Sequence, residues 1–204
     1  CSFLRRCGLH IHAHEMTSCS DGLVELADRL HLRGKLFFIV GDLGKPNYCV
    51  KAGIRFTRSL AELPHCDGVI ISEDNYDWEP VINGVVNFFM NHPGSRMFVP
   101  NPDTCYPVRN EMKIASGGVA RLIQRVLSDF HVNIEPIYLG KPYRPIFQHN
   151  HLLMERRLGR KIRKERVLML GDSIASDVLG GLNFGYRTAL FLTGMTKESV
   201  LARS

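Results

Sequence analysis

Two apolar runs, each closed by a glycine, constrain the fold of this chain more than any other feature. Leu36-Phe37-Phe38-Ile39-Val40 stops at Gly41, and Arg166-Val167-Leu168-Met169-Leu170 stops at Gly171. A strand that is apolar at successive positions is buried on both faces, as in a parallel sheet covered by helices. Shorter runs of the same kind are Cys66–Ser72, Met97–Val99, Ile137–Leu139 and Thr188–Leu192. Helical stretches fall between them. Asp21–His31 follows the capping residues Thr17-Ser18-Cys19-Ser20 and is closed by Gly34. Trp78–Met90 carries Val81, Ile82, Val85, Val86, Phe88 and Phe89, and Ala115–Phe130 and Pro145–Leu158 read the same way. Further helices are expected up to Gly8, after Gly44 and after the strand at 166–170. Strands alternating with helices predict an α/β fold built on a parallel sheet. Pro, Gly and Asn gather at 101–118, which with the stretch near Thr17 marks the expected seams.

The chain has 204 residues, 45% hydrophobic and 23% charged, in the ordinary range for a globular protein. That length buries one good core or two small ones sharing a hinge. No apolar run approaches the ~20 residues needed to cross a bilayer, so no membrane partner is expected. The net charge of +6 is local. Arg156, Arg157, Arg160, Lys161, Arg163, Lys164 and Arg166 face only Glu155 and Glu165, seven cations less two anions, which leaves +5 in that one segment. A run of this kind is ordinarily a solvated helix end, and no aromatic residue interleaves it. Nucleic acid is therefore not an expected partner.

Six cysteines are scattered without a C-x-x-C pair, which argues against a zinc site. With no export signal they suggest reduced thiols and a cytoplasmic protein. His10, His12 and His14 alternate, so an extended backbone would place three imidazoles on one face. Metal binding and a plain surface connector both remain open there.

The residues that carry chemistry sit where strands end. In an open parallel sheet, ligands lie beyond the carboxyl ends of the strands. Gly140-Lys141-Pro142 follows one apolar run, placing a cation at a strand end. Gly171-Asp172-Ser173-Ile174-Ala175-Ser176-Asp177 follows another, and its two carboxylates can both face the sheet edge. One can bind a hard cation while the other orients that cation's waters. A lysine and paired acids are what phosphoryl transfer requires, because they neutralise charge spread over the phosphoryl oxygens.

Those two strings, with Phe191-Leu192-Thr193-Gly194 after them, resemble the third and fourth motifs of the haloacid dehalogenase-like hydrolases. Within that superfamily the chain is similar to subfamily IIA, the p-nitrophenylphosphatase and nucleotide monophosphatase branch. Val99-Pro100-Asn101-Pro102-Asp103 resembles the segment where that branch returns from cap to core, and Val40-Gly41-Asp42-Leu43-Gly44 a glycine-marked turn inside the cap. The resemblance implies a C2-type α/β cap and the C-terminal half of a Rossmann-like core. The expected division is 1–16 as the end of a first core segment, 17–99 as cap and 100–204 as core.

By the same resemblance, the reaction is magnesium-dependent hydrolysis of a small phosphorylated metabolite through an aspartyl phosphate. Lys141 would steady the phosphate, Asp172 would be a magnesium ligand, and Asp177 would support the metal's water shell. Ser173 would help position the loop. Asn101 and Asp103 at the cap–core junction are candidates for substrate contact or hinge, against plain turn chemistry. Gly117 and Gly118 fit either a hinge or a close helix approach. Caps of this branch also supply dimer surfaces, so a homodimer through the cap is expected.

The family's reaction needs an aspartate nucleophile with a second aspartate two residues later, and no Asp-x-Asp occurs in the chain. Truncation of a longer phosphatase is the expected reason, with negligible activity for this fragment alone. The alternative is a non-catalytic protein binding a ligand or partner on a degenerate form of the fold. A half sheet is expected to expose a strand edge and an apolar face.

Overall fold

In a computed structural model of the chain, the structure describes residues 5–12, 15–45, 47–73, 76–109 and 111–198. The first unit runs α1 (Asp21–Arg29), β1 (Leu36–Val40), α2 (Tyr48–Ala52), β2 (Arg55–Thr57), β3 (Gly68–Ile71), α3 (Trp78–Asn91) and β4 (Arg96–Val99). A hairpin follows, β5 (Cys105–Val108) with β6 (Glu111–Ile114), then α4 (Ser116–Asp129) and β7 (Ile137–Tyr138). The remainder is α5 (Arg144–Leu158), β8 (Leu168–Gly171), a π-helical turn Ile174–Val178, α6 (Leu179–Phe184) and β9 (Arg187–Leu190).

Five strands form one parallel sheet in the order β2-β1-β3-β4-β7. Its central strands are apolar at almost every position because helices cover both faces. Successive side chains alternate between the faces. Phe38, Val40, Val69, Ile71, Met97 and Val99 pack with α3 and α4, through Val85, Phe89, Ile123 and Leu127. Phe37, Ile39, Ile70 and Phe98 pack on the other side with Leu23, Leu26, Ala27, Cys49 and Ala52 of α1 and α2. The two clusters make a three-layer α/β/α body, and the α/β expectation holds.

The division expected at Val99 does not coincide with a break in the sheet. After the hairpin, α4 lays Val119, Ala120, Ile123 and Leu127 against the same core. β7 then pairs with β4, Phe98 opposite Ile137 and Val99 opposite Tyr138. The chain leaves the five-stranded sheet only at Gly140-Lys141. The physical reason is that β4 offers an open edge, and the apolar stripe of α4 is buried only against the sheet it has just left.

β8 and β9 make a separate two-stranded parallel sheet, Leu168 opposite Arg187 through Gly171 opposite Leu190. Val167 and Met169 pack toward a small cluster of Ile146, Phe147, Phe184 and Tyr186. Leu168 and Leu170 point away and are 55% and 49% exposed, so among the described residues this apolar strand has one covered face. Of the three alternating histidines, His14 lies outside the described residues. Nor do the described residues contain a helix long and apolar enough to cross a membrane.

Candidate functional site

Lys141 and Asp177, 36 positions apart, meet directly. Lys141 follows β7 and Asp177 lies in the turn after β8, and Lys141 Nζ donates to Asp177 Oδ1 in an ion pair. Asp177 is 2% exposed, whereas the lysine side chain is 45% exposed, so an anchored carboxylate holds a solvent-reaching cation. The other carboxylate oxygen accepts the backbone N–H groups of Asp172 and Ser173, both at 3.1 Å. Asp177 therefore closes the turn that follows β8 as well as pinning the lysine.

The backbone makes this possible through a π-helical turn, a widened geometry frequent at functional sites. Ser173 starts it, its hydroxyl accepting from Ser176 N at 3.3 Å. Gly171 is required here, because a Cβ at that position would collide with the Asp177 carboxyl group. Gly140, on the lysine side, is equally confined. An added Cβ would lie 2.7 Å from Pro102 Cδ and 2.8 Å from the Pro100 carbonyl oxygen. The Lys141–Pro142 peptide is cis.

Asp172 follows β8 and turns its Oδ2 to the Met195 N–H at 2.8 Å, with Thr196 N bonded to its backbone carbonyl. Its Oδ1 has no hydrogen-bond partner among the described residues. The donor set suits a hard cation: magnesium is commonly held by one or two carboxylates plus waters and substrate phosphate. Asp172 has an oxygen to offer. Asp177 has committed both of its own to the lysine and the turn, so its fit is outside the direct ligand shell. Among the described residues no cluster of three or more His, Cys, Asp or Glu could hold a metal by itself.

Asn101 and Asp103 are placed differently. Asn101 Nδ2 donates to Glu73 Oε1 at 3.0 Å, and its Oδ1 accepts from Asp103 N at 3.1 Å. The latter is an Asx turn, so Asp103 is exposed and local turn chemistry accounts for its position. Neither residue is bonded to Lys141, Asp172 or Asp177. Gly117 and Gly118 prove to serve close packing. A Cβ on either would strike the backbone of Pro102 or Thr104.

Glu73, unremarked in the sequence, is the hub of this second cluster. Its Oε1 accepts from Asn101 Nδ2, from Ser116 N at 3.1 Å and from Ser116 Oγ at 2.9 Å. Burial and the neighbouring Glu73 carboxylate push the Tyr76 phenol above its usual range. The signal that could have found Glu73 is the one that found Asp172: it follows the carboxyl end of an apolar strand.

The chain's likeness to known proteins agrees with this geometry. A family model described as HAD-hydrolase-like matches residues 138–204. The dihydroxyacetone phosphatase of Corynebacterium glutamicum is 28% identical over 167 residues, covering 81% of this chain and 54% of that protein. The ribonucleotide monophosphatase NagD of Escherichia coli is 27% identical over 168 residues, covering 80% and 57%. The chain thus spans little more than half the length of these relatives. A solved structure described as a possible sugar phosphatase of the HAD superfamily, from Cytophaga hutchinsonii, superposes with a TM-score of 0.78 at 26% identity. That superposition covers 99% of this chain and 70% of the other. Residues 138–204 thus match the HAD-hydrolase-like family model, and over most of its length the chain is similar in sequence and fold to phosphatases of that superfamily.

Proposed function

We propose that this chain carries the lysine and acid half of a magnesium-dependent phosphatase site acting on a small phosphate monoester. The observation that supports it is the Lys141–Asp177 pair beside Asp172, at the ends of strands from two different sheets. Lys141 presents its ammonium to a phosphate oxygen. Asp177 keeps that ammonium in place and holds the Asp172–Ser173 backbone in its turn. Asp172 offers a carboxylate oxygen to the metal, which when bound would neutralise phosphoryl charge. On this reading residues 17–99 belong to a cap that closes over the organic part of the substrate, and the body extends through β7. The 204 residues hold no Asp-x-Asp. The aspartate that would form a phosphoryl-enzyme is then supplied from outside them, and the chain by itself does not turn over.

Calorimetry of the folded chain with magnesium and orthophosphate tests this. Wild-type chain is expected to bind both, Asp172→Ala to lose magnesium, and Lys141→Ala to lose phosphate. Absence of binding, or binding untouched by either substitution, would remove the support. Turnover of p-nitrophenyl phosphate by the chain alone, abolished in Asp172→Ala, would refute the requirement for an outside nucleophile.

A further inference from the structure

Glu73, Asn101 and Lys141 follow β3, β4 and β7, neighbours in one parallel sheet, so they emerge at the same edge. We propose that Glu73 is a positioning residue for Lys141, acting through the Pro100-Asn101-Pro102 turn that packs against Gly140. The inference rests on the phosphate reading of Lys141 and adds to that site a residue at one remove from the ligand.

The contacts from Glu73 to the lysine are continuous. Glu73 is held at backbone and side chain. Its carbonyl accepts from Asp42 N at 2.8 Å, and its Oε1 accepts from Asn101 Nδ2, Ser116 N and Ser116 Oγ. Asn101 is gripped in turn, because its Oδ1 accepts from Asp103 N and its backbone carbonyl from Ser116 Oγ. The prolines on either side of it are thereby set, and they wall in Gly140. A Cβ on Gly140 would lie 2.7 Å from Pro102 Cδ, 2.8 Å from the Pro100 oxygen and 3.1 Å from Cys19 Cβ. Around the same residue, Leu139 N donates to Val99 O at 3.0 Å and Tyr143 N to Gly140 O at 2.9 Å. A glycine has no side chain to restrict its own backbone, so its surroundings set the direction in which Lys141 leaves the strand.

Helix capping alone does not account for the Glu73 hub. Ser116 opens α4, and its N–H is one of the donors that a helix start leaves without a partner. Glu73 satisfies it. The Asn101 amide is a further donor that capping does not require, and it leads to the turn after β4.

Charge gives the test its sign. Removing a carboxylate from the edge where an anion binds should, by Coulomb's law, strengthen that binding, whereas losing a support for Lys141 should weaken it. Titrated with orthophosphate, the folded Glu73→Ala chain is expected to bind about tenfold more weakly than wild type, a usual effect of removing the support behind a site group. Magnesium binding should be unchanged. Glu73→Gln keeps an acceptor oxygen and should restore most of the phosphate affinity. Asn101→Ala leaves both Ser116 bonds to Glu73 in place and should reproduce the loss. In a Lys141→Ala background, Glu73→Ala should add nothing. Stronger phosphate binding, additive losses, a parallel loss of magnesium or no rescue by Glu73→Gln would overturn the inference.

The Lys141 ε-methylene resonance, assigned by its disappearance in Lys141→Arg, tests the same link without phosphate. In Glu73→Ala it should move toward its position in Asp177→Asn, where the ion pair is lost. If the resonance moves but wild-type chain binds no phosphate, the positioning stands and the phosphatase reading falls. If phosphate binds while neither affinity nor resonance responds to Glu73→Ala, this inference alone fails.

Discussion

Lys141 Nζ donates to the carboxylate of Asp177, which lies in the turn after a strand of another sheet. The contact ties the end of the five-stranded sheet to the end of β8, and it couples the exposed cation to a buried acid. Asp177 also accepts two backbone N–H groups. Asp177→Asn keeps an acceptor for those amides but loses the charge that holds the lysine. Thermal unfolding should show a loss of about 1–3 kcal/mol, and orthophosphate binding should weaken with it. Asp177→Ala should cost more, because two amides lose their acceptor. An Asn variant with unchanged stability and unchanged phosphate binding would refute the coupling.

Gly171→Ala tests the same turn from the opposite side. The added methyl has no space beside the Asp177 carboxyl group, which cannot retreat while Lys141 and two amides hold it. Destabilisation of about 1–3 kcal/mol is expected from overpacking, together with weaker magnesium binding. Gly159→Ala is an informative contrast: nothing lies within 4 Å of an added Cβ there, and only the left-handed φ of 62° opposes the change.

Gly117→Ala should destabilise by a similar amount, about 1–3 kcal/mol, by pushing α4 off the Pro102–Asp103 backbone. A hinge would tolerate the methyl and show changed mobility instead. Denaturant melts of the variant distinguish the two.

Tyr186 gives a pH dependence with a definite sign. Burial, and next the Glu155 carboxylate, raise its phenol from 10.0 to about 12. The folded state favours the neutral phenol, which bonds to His151 Nδ1 at 3.0 Å. His151 Nε2 lies 3.1 Å from the Ile162 carbonyl, so Nε2 carries the proton and Nδ1 accepts from the tyrosine. A raised folded pKa means this stabilisation is complete below pH 10 and is lost as pH climbs toward 12. Alkaline melts should show that loss, and Tyr186→Phe should flatten the curve across the same window. Identical alkaline curves for the two proteins would refute it.

Much of the fold was legible locally, and the exceptions share a cause. β1, β3 and β4 announce themselves because burial on both faces demands apolar residues at nearly every position. β2, Arg55-Phe56-Thr57, is an edge strand with only Thr57 buried, so its composition carries no such demand. The hairpin strands are short, and β6 is exposed throughout: Met112 and Ile114 alternate with Glu111 and Lys113 but neither is buried, so no continuous apolar run marks it. For the proposed site, Lys141 and Asp172 are legible because each sits just beyond the end of an apolar run, and Asp177 because it follows Asp172 five residues later. Glu73 has the same placement but belongs to a stretch of mixed polar residues with no motif around it.

The sequence by itself determined the α/β class and the order of the buried strands and the helices between them, and it points to Lys141, Asp172 and Asp177 as residues suited to phosphate chemistry. Those follow from side-chain periodicity and from glycine-terminated strands, which are local properties. Only the tertiary structure decided that β7 completes the first sheet, that Gly117 and Gly118 serve close packing, and that Asp177 is the buried anchor of Lys141. Each of these depends on which distant segments share an edge or a contact. Hydrogen-bond pairing and steric fit between remote parts of the chain settle that, and no local pattern records it.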